Sequence, residues 1–209
     1  MRFARFYSRH VFPWLMDRAL SHGPVAEQRP GVLAGAKGEV LEIGFGTGLN
    51  LPHYPPGVRR LVAVEPNPGA RRRARGRLGA SGVNVEFADL LGGRDLPFGA
   101  GAFDTVVSTW TLCSIADVAH ALVEVHRVLR PGGGFLFIEH GLSPDEKVAR
   151  WQRRLDPIQK RLGDGCHLTR DIAGLIESCP MRLETCDRFY LRETPRVAGY
   201  TYRGVARRE

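Results

Sequence analysis

The sequence predicts an α/β fold, a doubly wound and mostly parallel sheet of seven strands preceded by an N-terminal helical flap. Three observations carry this. Short apolar runs alternate with helical stretches from residue 39 to 139. Glycine occupies every second position directly after the first run, and Arg130-Pro131-Gly132-Gly133 closes the last helical stretch before another run. Strands that alternate with helices form β-α-β units, whose parallel sheet is covered on both faces.

Composition sets the frame. A chain of 209 residues, 43% hydrophobic and 25% charged, is expected to form one soluble globular domain. No run of 18 apolar residues exists to span a membrane, and the basic, aromatic start is not read as a signal peptide. Cys113, Cys166, Cys179 and Cys186 include no C-x-x-C pair, so a reducing cytoplasm is expected and a metal is not. The net charge of +8 points to an anionic partner: a cofactor, an acidic lipid or a nucleic acid. The densest basic run, Arg71–Arg77, reads first as a solvated helix face and second as a lipid or nucleic-acid surface.

The elements follow in order. Residues 1–37 form the flap and 38–209 the main domain. Phe3, Phe6, Tyr7, Val11 and Leu15 share helical spacing, with a break or second helix start at Pro13. His22-Gly23-Pro24 and Arg29-Pro30-Gly31 mark a loop with one short helical turn. Val40–Ile43 is the first strand, and Thr47–His53 is expected to open a helix. Arg60–Val64 is a strand, 68–79 a helix, Val83–Phe87 a strand and 90–101 a glycine-rich loop. Phe103–Ser108, the helix Asp117–Leu129 and the strand Phe135–Glu139 complete the alternation. A helix over 144–162 is expected to start with Ser143 as N-cap and Pro144 at its first position. A helix at 170–178 and strands at 181–190 and 198–206 finish the chain.

The glycines define the ligand question. Glu42-Ile43-Gly44-Phe45-Gly46-Thr47-Gly48 lets the chain turn off the strand and leaves the backbone bare for a ligand. The dinucleotide fingerprint G-x-G-x-x-G is missed by one residue, and the phosphate loop G-x-x-x-x-G-K-[ST] is absent.

This spacing resembles the first motif of class I S-adenosylmethionine-dependent methyltransferases. The likeness continues in Glu65, Asp89, Leu96-Pro97-Phe98, Phe103-Asp104-Thr105-Val106-Val107 and Val128–Gly133. It implies a Rossmann-like seven-stranded sheet with an antiparallel last strand. It also implies S-adenosylmethionine as cofactor and S-adenosylhomocysteine as product. The implied cofactor contacts are Glu42, Gly44, Gly46, Thr47, Gly48, Asn50, Glu65, Pro66, Asp89, Leu90 and Thr109, with Glu65 on the ribose hydroxyls and Asp89 near the adenine amino group.

Finer features match the type 11 methyltransferase-like subgroup that includes the mammalian membrane-associated alkyl thiol methyltransferases. They are Gly46–Gly57, Val64–Pro68, Thr111–Ser114, Glu139-His140, Leu155–Pro157 and Asp164–Arg170, so the resemblance covers about residues 39–205. It implies a small-molecule acceptor, a thiol among the candidates. His140 and His167 are the acid-base candidates, against a plain loop-bonding role for each. Tyr7, Trp110, Cys113, Asp164 and Cys166 are the expected acceptor-pocket residues, with edge packing the alternative for Tyr7. A lipid or quinone methyltransferase in peripheral contact with an anionic membrane is the second reading. Nucleic-acid methylation is disfavoured, because Ser108-Thr109-Trp110-Thr111 stands where base amino methylases carry N-P-P-[YF].

Overall fold

The computed structural model describes residues 5–21 and 23–209. Phe3 and His22, assigned above to a helix face and a loop, lie outside the described residues.

A π-helical turn, Tyr7–Val11, leads into helix α1 (Phe12–Leu20), which starts again at Pro13 as its first-turn proline. The loop that follows holds two helical turns rather than one, Gly23–Ala26 and α2 (Arg29–Leu33). Strand β1 (Gly38–Ile43) then enters the sheet. Thr47–His53 does not form the expected helix; only a 3-10 turn, Leu51–His53, survives. Pro52, Pro55 and Pro56 remove the N–H groups a longer helix needs.

Strand β2 (Val58–Val64) is followed by α3 (Pro68–Ser81), N-capped by Asn67, whose side chain accepts from Gly69 N. Strands β3 (Val85–Ala88) and β4 (Phe103–Thr109) follow, then α4 (Val118–Val128) behind the Asp117 cap. Strand β5 (Leu129–His140) starts six residues before the expected Phe135, because Leu129 already pairs with Phe103. Helix α5 (Glu146–Leu162) starts two residues later than expected. Asp145 caps it through Lys147 N and Val148 N, while Ser143 Oγ instead accepts from Asp145 N. Helix α6 (Ile172–Glu177), β6 (Met181–Tyr190) and β7 (Tyr200–Arg208) end the fold.

The seven strands lie in the order β3-β2-β1-β4-β5-β7-β6. β7 is antiparallel to both β5 and β6, and the other pairings are parallel. The order reverses between β1 and β4, and in open α/β sheets the crevice at the carboxyl ends of such a pair takes the ligand. Two apolar layers hold the sheet, one around Leu41, Phe103, Phe135 and Phe137 and one around Leu33, Val40, Leu61 and Ile138.

Candidate functional site

A cavity of about 550 Å³ opens at this reversal. Its floor is the glycine loop. Gly44 (φ 73°) turns the chain off β1, and a Cβ there would stand 2.1 Å from Thr111 Oγ1. Gly46 (φ 59°) differs: a Cβ there would meet nothing nearer than 3.9 Å, so it borders open cavity. Gly48 (φ 80°) packs against Leu51 and Phe45 below.

Two buried acids flank the loop. Glu65 ends β2, and its two oxygens accept from Gly46 N and Asn67 N, each at 2.7 Å. Burial raises its carboxyl pKa, and the two N–H donors offset part of that. Glu42, only 1% exposed, accepts from Asn50 Nδ2 at 2.8 Å and Tyr54 Oη at 2.7 Å. Burial pushes its pKa up to about 7 against those hydrogen bonds.

Opposite Glu42 stands a residue that no sequence motif marks. Arg29, 3% exposed, comes from the segment before the sheet and lines the same cavity. Its Nη1 donates to Asn50 Oδ1 at 2.7 Å, so Asn50 bridges it to Glu42, and its guanidinium lies 4.9 Å from the Trp110 ring. Its Nε is buried without a hydrogen-bond partner, and burial lowers its pKa to about 10. No spacing signal links an Arg-Pro pair in a loop to a glycine motif 15 residues on, which is why only the fold exposes it.

The N-terminal segment closes the top. Phe12, Pro13, Met16 and Leu20 line the cavity. Asp17 accepts from Thr47 Oγ1 of the glycine loop and pairs with Arg77 at 2.7 Å. Tyr7 Oη donates to Leu162 O at 2.8 Å, Ser8 Oγ to Asp164 Oδ2 at 2.7 Å and Asn67 Nδ2 to Ser8 O at 2.9 Å. The strap passes so near α3 that a Cβ on Gly69 would stand 1.9 Å from Arg9 O.

Of the expected cofactor residues, Glu42, Gly44, Gly46, Thr47 and Asn50 line the cavity, as do Glu65, Pro66, Leu90 and Thr109. Gly48 supports it from below. Asp89 lies outside the lining: its side chain is 84% exposed and pairs with Arg71, which draws it off the strand end toward α3. The adjacent Leu90 faces the cavity instead.

Among the expected acceptor-side residues, Trp110 (φ 51°) and Asp164 (φ 50°) line the cavity, both in left-handed backbone that side chains seldom adopt. Tyr7, Cys113, Cys166, His140 and His167 do not. His167 Nδ1 pairs with Asp156 Oδ2 at 3.1 Å. Cys113, His140 and Cys166 gather into one cluster, with His140 Nε2 3.0 Å from Cys166 Sγ. The Cys113 thiol and burial together hold the Cys166 thiol well above its ordinary pKa.

The arginine run is only partly a solvated face. Arg71 bonds Glu65 O and Asp89, and Arg77 bonds Asp17 and Thr47 O, while Arg72, Arg73 and Arg75 are exposed.

This sheet order, with its bare loop between two strand-end acids, defines a class I methyltransferase domain. The methyltransferase-domain family pattern matches residues 41–137. That stretch, a little under half of the chain, carries the pattern of a methyltransferase domain. It is 40% identical over 144 residues to human thiol S-methyltransferase TMT1B and 39% identical over 145 residues to the Rattus norvegicus protein of the same name. Each match spans 66% of this chain and 59% of the relative, so the chain corresponds to little more than half the length of the curated relatives it matches. A solved S-adenosylmethionine-dependent methyltransferase of Methanosarcina mazei shares the fold at TM-score 0.64 and 23% identity, covering 90% of this chain and 99% of that one.

Proposed function

We propose that this protein transfers the methyl group of S-adenosylmethionine to a small thiol. The observation that carries the reading is the charge pattern at one end of the cavity. A buried guanidinium and a buried carboxyl, bridged by Asn50, face a backbone left bare at Gly46. A buried cation without a carboxylate partner is costly and favours an anionic ligand group. Arg29 then takes the amino-acid carboxylate of the cofactor, Glu42 its ammonium group, and Glu65 the ribose hydroxyls.

The bound sulfonium supplies an already activated methyl group, so the chain's own work is alignment and exclusion of water. The strap made by Tyr7–Leu20 shields the cavity from above, acting as a lid. Trp110 and Asp164 bound the acceptor side. A thiol of pKa about 8.5 reacts as its thiolate and needs little help from a base. His140 and His167 stand outside the lining and are not given that role. The thiol acceptor is supported by the names of the relatives that match over residues in this domain.

Calorimetric titration with S-adenosylmethionine and S-adenosylhomocysteine, with NADH as control, tests the cofactor. Mass-spectrometric detection of S-methyl products over a thiol panel then tests the acceptor. Micromolar binding of both sulfur compounds and turnover of alkyl thiols are expected. Binding of NADH alone, in folded protein, would overturn the cofactor; methylation of phenols with thiols untouched would overturn the acceptor.

A second reading, a lipophilic acceptor taken from an anionic membrane, is favoured by one surface. Phe6, Trp14 and Leu15 on the strap, and Trp151, Ile158 and Leu162 on α5, are large apolar side chains left exposed. The Tyr7–Leu162 hydrogen bond joins the two segments, and Arg9, Arg18, Arg150 and Arg154 are exposed alongside. No helix among the described residues is long and apolar enough to cross a membrane, so the contact would be peripheral. Co-sedimentation with phosphatidylglycerol vesicles, lost in high salt and lost with neutral vesicles, is the expected signature.

A further inference from the structure

The cluster behind the acceptor side has a chemistry that methyl transfer does not use. Cys113, His140 and Cys166 come from three separate parts of the chain, yet their ligand atoms all lie within 4.8 Å of one another. Cys113 is 2% exposed and Cys166 8%. The geometry points to a soft-metal site, with zinc the ion it fits, held by Cys113 Sγ, His140 Nε2 and Cys166 Sγ.

Four features support it. Two sulfurs and one imidazole form a donor set that zinc prefers over hard-cation ligands. Zinc bonds of about 2.3 Å to sulfur and about 2.0 Å to nitrogen place tetrahedral ligands roughly 3.5 Å apart. The 3.0 Å between His140 Nε2 and Cys166 Sγ, and the 4.8 Å limit on the cluster, bracket that separation.

Second, the frame is already rigid. Cys113 lies in a 3-10 turn, Leu112–Ser114, and the N–H groups of Thr111 and Leu112 are held by the buried Glu139 carboxylate at 2.9 and 3.0 Å. His167 N donates to Cys113 O at 2.9 Å, which locks the loop carrying Cys166 beside Cys113. Arg170 clamps the same turn through Leu112 O and Ile115 O.

Third, charge balances. Two thiolates, a neutral imidazole and a divalent ion sum to zero, so the bound site escapes the penalty of a buried net charge. Each thiol gives up its proton on binding, so two protons leave for each zinc that enters. Fourth, Gln159 Nε2 donates to Cys166 Sγ at 3.5 Å, the kind of hydrogen bond that supports a metal-bound thiolate, and a water completes the four-coordinate shell. Thr111, Ser114 and Asp164 line the cavity next to these ligands in sequence, so the ion pins the acceptor wall.

The test uses the whole protein. Metal-free protein is given one equivalent of zinc, desalted and analysed for metal, and a parallel sample is titrated with cobalt. One zinc retained per chain, release of two protons, and cobalt spectra with thiolate charge-transfer and tetrahedral bands are expected. Cys113→Ser and Cys166→Ser should lose all three signals, and Cys179→Ser should keep them. No retained zinc in the folded wild type, a cobalt spectrum without thiolate bands, or full retention in Cys166→Ser overturns the site. The wild-type cobalt spectrum and proton count decide the matter without variants, should a serine variant fail to fold.

Discussion

The cavity has two walls built on different principles. The cradle, formed by β1, β2, β4 and the glycine loop, works through backbone: Gly46 is bare, and Glu65 is held by backbone N–H groups. The cap, formed by the strap before the sheet and the loop after α5, works through side chains reaching across the chain: Tyr7 to Leu162, Ser8 to Asp164, Asp17 to Thr47 and Arg77. The cradle's geometry is local, so its substitutions act on conformation and space. The cap's bonds join distant segments at the surface, where each is worth little singly. The difference teaches where binding strength and where access are controlled.

The sharpest way to break the cradle is to fill it. Gly46→Arg should abolish S-adenosylmethionine binding at a stability cost of only about 1 kcal/mol, because its backbone is left-handed (φ 59°) but its Cβ meets open space. Gly44→Ala should cost more, about 3 kcal/mol of stability, since Thr111 stands in the way of its Cβ as well. Paired chemical denaturation and calorimetry separate the two; equal loss of stability in both would dissolve the distinction.

Arg29→Met tests the residue that joins the walls. Affinity for S-adenosylmethionine should fall about 10- to 100-fold, the worth of a charge-assisted contact. The ligand-free melting temperature should change little, because losing the desolvated charge offsets the hydrogen bonds lost at Asn50 Oδ1 and Leu20 O. A fall in both would mean Arg29 serves the fold alone.

Glu42 gives a pH test. Its folded pKa of about 7 lies above the ordinary 4.5, so the folded protein keeps this proton where the unfolded chain has released it. Its contribution therefore favours folding at low pH and is lost as pH rises from about 4.5 to about 7, levelling off above. Glu42→Gln should gain stability relative to wild type across that window, as read by denaturation at several pH values, and should weaken cofactor binding. A flat difference would place the carboxyl in ordinary solvent.

The smallest effect is expected in the cap. Tyr7→Phe removes one hydrogen bond to Leu162 and should raise KM for acceptor about two- to tenfold, with cofactor affinity held. A change in cofactor affinity as large as that of Arg29→Met would make the strap part of the cradle.

Much of the cradle was legible because its signals are short. Glycines that need left-handed backbone, an acid at the end of β2 and Pro-Gly turns are local properties, and the mostly parallel sheet follows from strands that alternate with helices. The helix expected over Thr47–His53 is cut short because Gly48 is left-handed (φ 80°) and Pro52, Pro55 and Pro56 crowd its far end. The start of α5 moved because Asp145, not Ser143, offered the side-chain oxygen that reached two free N–H groups. The resemblance implies Asp89 as a cofactor contact, but Arg71 on α3 claims its side chain.

The sheet, the bare loop and the two strand-end acids each depend on residues within a few positions of one another, so they are legible along the chain. Folding alone brings Arg29 into the cavity, lays the N-terminal strap across it, and gathers Cys113, His140 and Cys166 outside its lining. The physical reason is one of range. Backbone conformation is set by neighbours along the chain, whereas charge pairing and metal-ligand geometry are set by neighbours in space. Which segments become such neighbours is settled by packing the helices onto the finished sheet.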